Sequence, residues 1–261
     1  MINSALYREP VLLEPGKHRT LKIGTLADFS ITKGMHGVFV AATEIPQAAL
    51  EFPVLFVHTG ERDAAGRPSF SPIALLGLSQ GENLFVDGPR WDARYIPAFI
   101  RRYPFLTANL RGAPTQGVMI DLGWSGFSHD EGEPLFGADD KPAEALQRAV
   151  EFLERFETEA QRTRHFCARL AELDLLKEMK ADATLPDGAT LSVDGFYAID
   201  EQKLQNLAEA QVVEMHRNGM LMLLNLHIAS LGTMRHMVER KARRAQAAKA
   251  AASNGSTHDP R

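Results

Sequence analysis

Cysteine is almost missing from this chain: Cys167 is the only one among 261 residues. An intrachain disulfide and any multi-cysteine zinc or iron–sulfur site are therefore excluded. Cys167 falls at a core position of a long helical pattern, which predicts a small buried hydrophobe, with a catalytic thiol as the lesser alternative. A basic surplus is missing too. The 29 Lys and Arg against 33 Asp and Glu leave a net charge of −4, which argues against nucleic-acid binding by the chain as a whole. The most apolar stretch, Met220 to Leu231, is interrupted by Asn225 and His227, whereas a helix needs about 20 apolar residues to span a bilayer. The first ten residues lack the basic-then-apolar layout of a secretory signal. The expectation is a cytoplasmic protein with no transmembrane segment, signal-independent export being left open.

Standard catalytic motifs are also missing. There is no His-Glu-x-x-His helix and no phosphate loop ending in Gly-Lys-Ser/Thr. Gly123-Trp124-Ser125-Gly126-Phe127 has Phe127 where a nucleophile elbow needs its last glycine. Gly77-Leu78-Ser79-Gln80-Gly81 has two glycines where a dinucleotide fingerprint needs three. The nearest approach to a metal motif is His129-Asp130-Glu131, flanked by Ser128, Gly132 and Pro134. With His165, His216 or His227 as a third ligand it would make a facial triad, but the flanking residues favour a polar surface loop. His227 itself reads as a satisfied core histidine. No metal or cofactor is expected.

What is present is a change of period. Up to about residue 125, short apolar runs bounded by Gly, Pro or Ser read as strands: 11–13, 21–23, 37–40, 52–57, 73–78 and 118–122. Residues 59–68 read as a polar hairpin-like loop and 43–50 as a short helix capped by Thr43. From Lys141 apolar residues recur every three or four positions, from Leu146 through Leu170 and Leu173 to Met179. This predicts a long amphipathic helix entered at Asp140, with Pro142 in its first turn and a break near Asp174. Residues 184–193, with Pro186-Asp187-Gly188, predict a small hairpin. Asp200 is placed to cap a short helix, a second helix ends at Asn218-Gly219, and Met220 onward reads as helix. Arg240, Lys241, Arg243, Arg244 and Lys249 read as a solvated helix end, with an acidic-lipid or nucleic-acid patch as the alternative. The fold class is α+β: a single domain over 1–250, strand-rich at 6–125 and helix-rich at 140–250, with a flexible tail at 251–261.

The most unusual composition lies between Gly81 and Phe105, with one of the two tryptophans, two of the four tyrosines and four arginines. Trp91, Tyr95 and Tyr103 offer flat faces, while Arg94, Arg101 and Arg102 offer planar forks that grip carboxylates or stack on rings. Together with Asp92 they form the candidate binding surface. The competing reading makes Trp91, Tyr95, Ile96, Phe99 and Ile100 one buried helical face and pairs Asp92 with arginines.

These residues carry a resemblance. Gly77-Leu78, Glu82-Asn83-Leu84-Phe85-Val86, Trp91-Asp92, Tyr95-Ile96-Pro97-Ala98-Phe99 and Arg101-Arg102-Tyr103-Pro104-Phe105 resemble the central block of the SapC-like family of bacterial proteins. Further similarity at Pro53 to Phe56, Pro134 to Phe136, Leu173 to Leu176, and Leu226-His227 with Ser230-Leu231 extends it over about residues 6–240. At His36-Gly37-Val38 the chain departs from the family's Val-Pro pair. The resemblance implies association with the cell envelope or a bacterial surface layer, near TonB-dependent receptors and halogenase-like proteins. It carries no catalytic residues. A non-enzymatic accessory protein gripping a protein or carbohydrate partner is the favoured reading. The alternatives are an enzyme using His129, Glu131 and His227, and a structural surface-layer component.

Overall fold

The computed structural model describes residues 6–109, 116–184 and 190–255. Helices take 41% of it and strands 25%, and every strand pairing is antiparallel. Among the described residues no parallel crossover unit is built, and the class is α+β, as the change of period predicts.

The largest sheet has five strands in the order Leu176–Thr184, Thr190–Ile199, Val54–Arg62, Pro68–Leu75 and Gly37–Phe39. The hairpin expected at 184–193 is therefore much larger: it starts at Leu176, ends at Ile199 and forms one edge of the main sheet. Its Pro186-Asp187-Gly188 turn lies outside the described residues. The region read as a polar loop, 59–68, also belongs largely to this sheet, since strand pairing resumes at Arg62 and Pro68. A second sheet places Gln116–Asp121 between Pro10–Leu12 and Phe105–Asn109.

The helix Glu144–Glu172 ties the two regions together. Leu146 and Leu153 join a cluster with Phe105, Ile120, Leu135 and Phe136. One end later, Phe166, Cys167 and Leu170 pack into the larger core with Phe52, Phe56 and Leu75. Each fully buried side chain of this kind contributes about 1.5–3 kcal/mol, so the helix is anchored at both ends. It begins at Glu144, after Pro142, and not at Asp140.

Its C-terminus shows why the apolar spacing misleads beyond Leu173. Asp174 adopts φ 52°, the Asp174 N–H donates to Ala171 O at 3.2 Å, and the Leu175 N–H donates to Leu170 O at 3.0 Å. That is a Schellman stop, with Leu175 buried beneath it. The chain leaves in a new direction and Leu176 and Met179 become strand residues, although their spacing continues the helical one. The next elements follow expectation. Asp200 Oδ1 accepts the Gln202 and Lys203 N–H groups at 3.0 and 3.3 Å. Gly219 takes φ 80° between the helices Glu209–Arg217 and Met220–Ser230. The last helix is Met234–Gly255.

A left-handed conformation costs an L-residue about 1–2 kcal/mol, less for Asp, and glycine nothing comparable. Asp174 carries only an exposed pair with Lys203. Asp174→Gly is expected to raise the unfolding free energy by about 0.5–1 kcal/mol, read from urea midpoints. An unchanged or lower midpoint would contradict the assignment of this stop.

Candidate functional site

Proline punctuation shapes the aromatic segment. Gly88, at φ 57°, turns the chain between Val86–Asp87 and Arg90–Trp91. Pro97 is extended and limits the helix that follows to Ala98–Arg101, and the Tyr103–Pro104 peptide is cis. No long helical face therefore runs from Trp91 to Ile100. Trp91 nevertheless goes inward: it is 8% exposed, with ring centroids 6.1, 6.3 and 6.4 Å from those of Phe29, Phe52 and Phe85. Its Nε1–H donates to Tyr95 O at 2.8 Å. Tyr103 is 4% exposed, its ring 5.4 Å from Tyr7 and 6.0 Å from Trp124. The expectation of an outward aromatic face fails for these two rings, because each is sealed in the core with its polar atom satisfied.

Two carboxylates hold the segment. Glu44 is buried. Its Oε1 accepts the Tyr95 hydroxyl at 2.6 Å and the Ala98 N–H at 2.7 Å, and its Oε2 accepts the Ala41 N–H at 2.8 Å. Asp121 is completely buried. It accepts the Tyr103 hydroxyl at 2.8 Å and the N–H groups of Arg8 and Glu9 at 3.1 and 2.6 Å. Burial, and then the hydrogen bond to the carboxylate, pushes the Tyr95 and Tyr103 phenols above their ordinary range. Both remain protonated donors at any physiological pH. Neither carboxylate was named from the sequence. The available signal was an acid embedded in an apolar run, at Val40 to Ala49 and again at Val118 to Leu122.

The arginines divide. Arg102 is half-buried, its guanidinium 4.1 Å from the Phe99 ring, 4.7 Å from Phe156 and 5.8 Å from Tyr7, and it acts as a cation wedged among rings. Arg94 is exposed. Arg101 is exposed too: its Nε donates to Ile96 O at 2.9 Å, and its guanidinium lies 5.8 Å from the Tyr95 ring and 5.4 Å from Phe152. Asp92 binds a cation from far along the chain, since Arg240 Nη1 donates to its Oδ2 at 2.6 Å and Arg240 Nη2 to its backbone oxygen at 2.9 Å. Lys241 Nζ reaches Ser79 and Glu82, and Arg244 donates to the Asn83 and Val86 oxygens. Of the basic stretch read as a solvated helix end, Arg240, Lys241 and Arg244 are instead docked over residues 79–92, while Arg243 and Lys249 are exposed.

Where the segment meets the long helix, a groove of about 310 Å³ remains, lined by Arg101, Ala98, Phe152, Arg155, Phe156 and Glu159. Arg155 pairs with Glu151 at 3.4 Å. Glu159 Oε1 takes Arg162 at 2.7 Å, while its buried Oε2 has no hydrogen-bond partner among the described residues. The groove thus presents two guanidinium groups and two phenyl rings. Of the predicted surface residues, Arg101 alone lines it.

The alternative set does not converge. His129 sits on the surface, with Nδ1 2.9 Å from Thr20 Oγ1, and Glu131 is exposed on the same loop. His227 is completely buried, its Nε2 accepting the Ile199 N–H at 3.1 Å and its ring 5.0 Å from Phe56. Among the described residues no three His, Cys, Asp or Glu side chains form a metal-holding group, and no helix is long and apolar enough to cross a membrane. Cys167 is buried, which pushes its thiol up to about 12 and keeps it protonated and unreactive.

Removing the Glu44 carboxylate leaves three donors unpaired. Glu44→Ala is expected to lower the unfolding free energy by about 3 kcal/mol and Glu44→Gln by clearly less, both from urea titrations. Burial also pushes His227 down to about 4, against about 6.5 for a free imidazole. The unfolded chain then takes up a proton that the folded chain refuses. Stability is full above about pH 6.5 and falls as pH drops toward 4, by about 3 kcal/mol once complete. His227→Gln is expected to remove that part of the pH slope. A slope equal to the parent's would count against a neutral, buried imidazole.

Comparison with curated proteins returns no match, and neither does comparison with solved structures. A family model does match: SapC, over residues 13–237. That span contains the aromatic segment, both buried carboxylates and the groove-lining part of the long helix, and it stops short of Arg240, Lys241 and Arg244. The chain belongs to the SapC family.

Proposed function

We propose that this SapC-family chain is a non-enzymatic accessory protein of the bacterial cell envelope, working as one domain over 1–250 from the cytoplasmic side. Its partner is an envelope protein, and the contact is the groove beside Arg101. The carrying observation is the Arg101 guanidinium, exposed above the Tyr95 and Phe152 rings with Arg155 lining the same groove. Planar forks backed by rings favour carboxylate-bearing chains with an aromatic or apolar neighbour. An acidic peptide segment with an aromatic or apolar neighbour supplies both features. The proteins encoded around the family, TonB-dependent receptors and halogenase-like proteins, are the first candidates to carry it.

Affinity purification from the native bacterium, with the chain and with Arg101→Ala in parallel, tests this. The expected result is an envelope protein that the parent retains and the variant loses about tenfold, with the same far-ultraviolet circular dichroism and melting temperature for both chains. Capture should weaken as salt is raised from low to physiological concentration. Equal capture by parent and variant would overturn the proposal. Enrichment of glycan without protein would move the partner to the other class.

A further inference from the structure

A second site lies at the opposite end of the long helix. Its floor follows from register: His58 pairs with Phe70, and Tyr197 pairs with Phe56. Side chains alternate along a strand, so Phe56, His58, Phe70 and Tyr197 share one face of the sheet. Phe56 lies under the helix, 6.3 Å from Phe166. The helix stops at Glu172, and the row of rings runs on from Phe56 toward the exposed His58. Phe70 meets Tyr197 at 4.9 Å and 66°, and His58 meets Phe70 at 5.7 Å and 89°. Phe70 is buried, Tyr197 half-buried and His58 exposed.

The wall comes from a break in the ladder. Pairing between Val54–Arg62 and Pro68–Leu75 shifts between His58 and Arg62, and Gly60 there takes φ 84°. Such a bulge bends the strand and re-aims the side chains beyond it. The bent end is rigidly tied. His58 Nδ1 accepts the Gly60 N–H at 3.0 Å, which leaves Nε2 as the ring's donor. Asp63 accepts the Arg67 Nε and N–H at 2.8 and 2.9 Å. Arg62 Nη1 donates to Gly66 O at 2.6 Å. The result is a cavity of about 520 Å³ lined by His58, Arg62, Arg67, Phe70, Asp174 and Tyr197. That volume falls within the range of about 300–1,000 Å³ typical of small-molecule sites.

Charge decides what fits. Asp63 answers Arg67 and Lys203 answers Asp174. The Arg62 guanidinium, the His58 Nε2–H and the Tyr197 hydroxyl are the other polar groups of the lining, and Arg62 is the cation there without a carboxylate partner among the described residues. We infer that this cavity binds a small anion carrying a flat unsaturated ring, an aryl phosphate or aryl carboxylate. The ring lies against Tyr197 and His58, and the anionic group takes Arg62 and His58. At about 1.5 Å per residue, the long helix separates this cavity from the Arg101 groove by roughly 25 Å between residues 155 and 171, so the two sites are independent.

Titration with phenyl phosphate and, separately, inorganic phosphate tests the assignment, followed by calorimetry and by the His58 ring proton resonances. Phenyl phosphate is expected to bind about tenfold more tightly than inorganic phosphate. Arg62→Ala, a change at the exposed end of a strand, is expected to weaken phenyl phosphate about fivefold to tenfold. Tyr197→Leu should reduce phenyl phosphate to the affinity of inorganic phosphate. Arg101→Ala should leave both ligands unchanged. Equal affinities for the two ligands, an Arg62→Ala variant that binds like the parent, or no movement of the His58 resonances would each overturn it.

Discussion

A carboxylate taken out of water is costly unless donors surround it, and this fold has two such groups in contact with one segment. Glu44 and Asp121 each collect a tyrosine hydroxyl and backbone N–H groups. The demand is mutual. A buried phenol needs an acceptor as much as the acid needs donors, so Tyr95 and Tyr103 are fixed in place and the residues between them have little freedom. With the hydroxyls committed inward, the intervening arginines are left to the periphery of the segment. Arg102 is caught among rings, and Arg101 faces solvent. The orientation of the whole aromatic stretch follows from which of its polar atoms were claimed first.

The long helix makes use of that orientation. It reaches from the cluster around Phe105 and Ile120 to the one around Phe56 and Leu75, so its middle turns pass beside the fixed segment. Phe156 shows the consequence: it packs against Phe39 and Phe99 at 5.7 and 6.4 Å and also faces the Arg102 guanidinium. One residue thereby joins helix, sheet and aromatic segment. The Arg101 groove is what remains where the long helix, the aromatic segment and the turn at Ala41 to Glu44 do not close completely. A groove with walls from separate, rigid elements is pre-organised, which limits the ordering cost of binding.

Much of the architecture was legible because it depends on local chemistry. The strands at 37–39, 54–57 and 118–121, the Asp200 cap and the Gly219 turn all follow from apolar runs and one or two punctuating residues. The boundary at Asp174 was also legible, but not its sequel. Leu176 and Met179 keep helical spacing, and only their ladder with Thr190–Ile199 makes them strand residues. Side-chain direction at the site was less accessible. Trp91 and Tyr103 look like a binding face by composition, and only their long-range partners, Phe52 for one and Asp121 for the other, turn them inward. The same limit hid the basic helix end. Arg240 and Arg244 meet acceptors about 150 residues earlier, and no local pattern encodes a contact of that separation.

That last contact bears on how the aromatic segment is held. The family match ends at residue 237, yet Arg240, Lys241 and Arg244 bind Asp92, Glu82 and the main-chain oxygens of Asn83 and Val86. Arginine suits this role because its fork satisfies a carboxylate and a nearby carbonyl at once, as Arg240 does at Asp92. Its guanidinium also lies 4.5 Å from the Phe85 ring, so the charge is shielded on one side and hydrogen-bonded on the other. The segment is therefore fixed from two directions. Buried acids take its tyrosines, and a basic helix takes its carbonyls and Asp92. With so few of its polar groups uncommitted, the segment is held rigid and leaves the Arg94 and Arg101 side chains exposed at its edge.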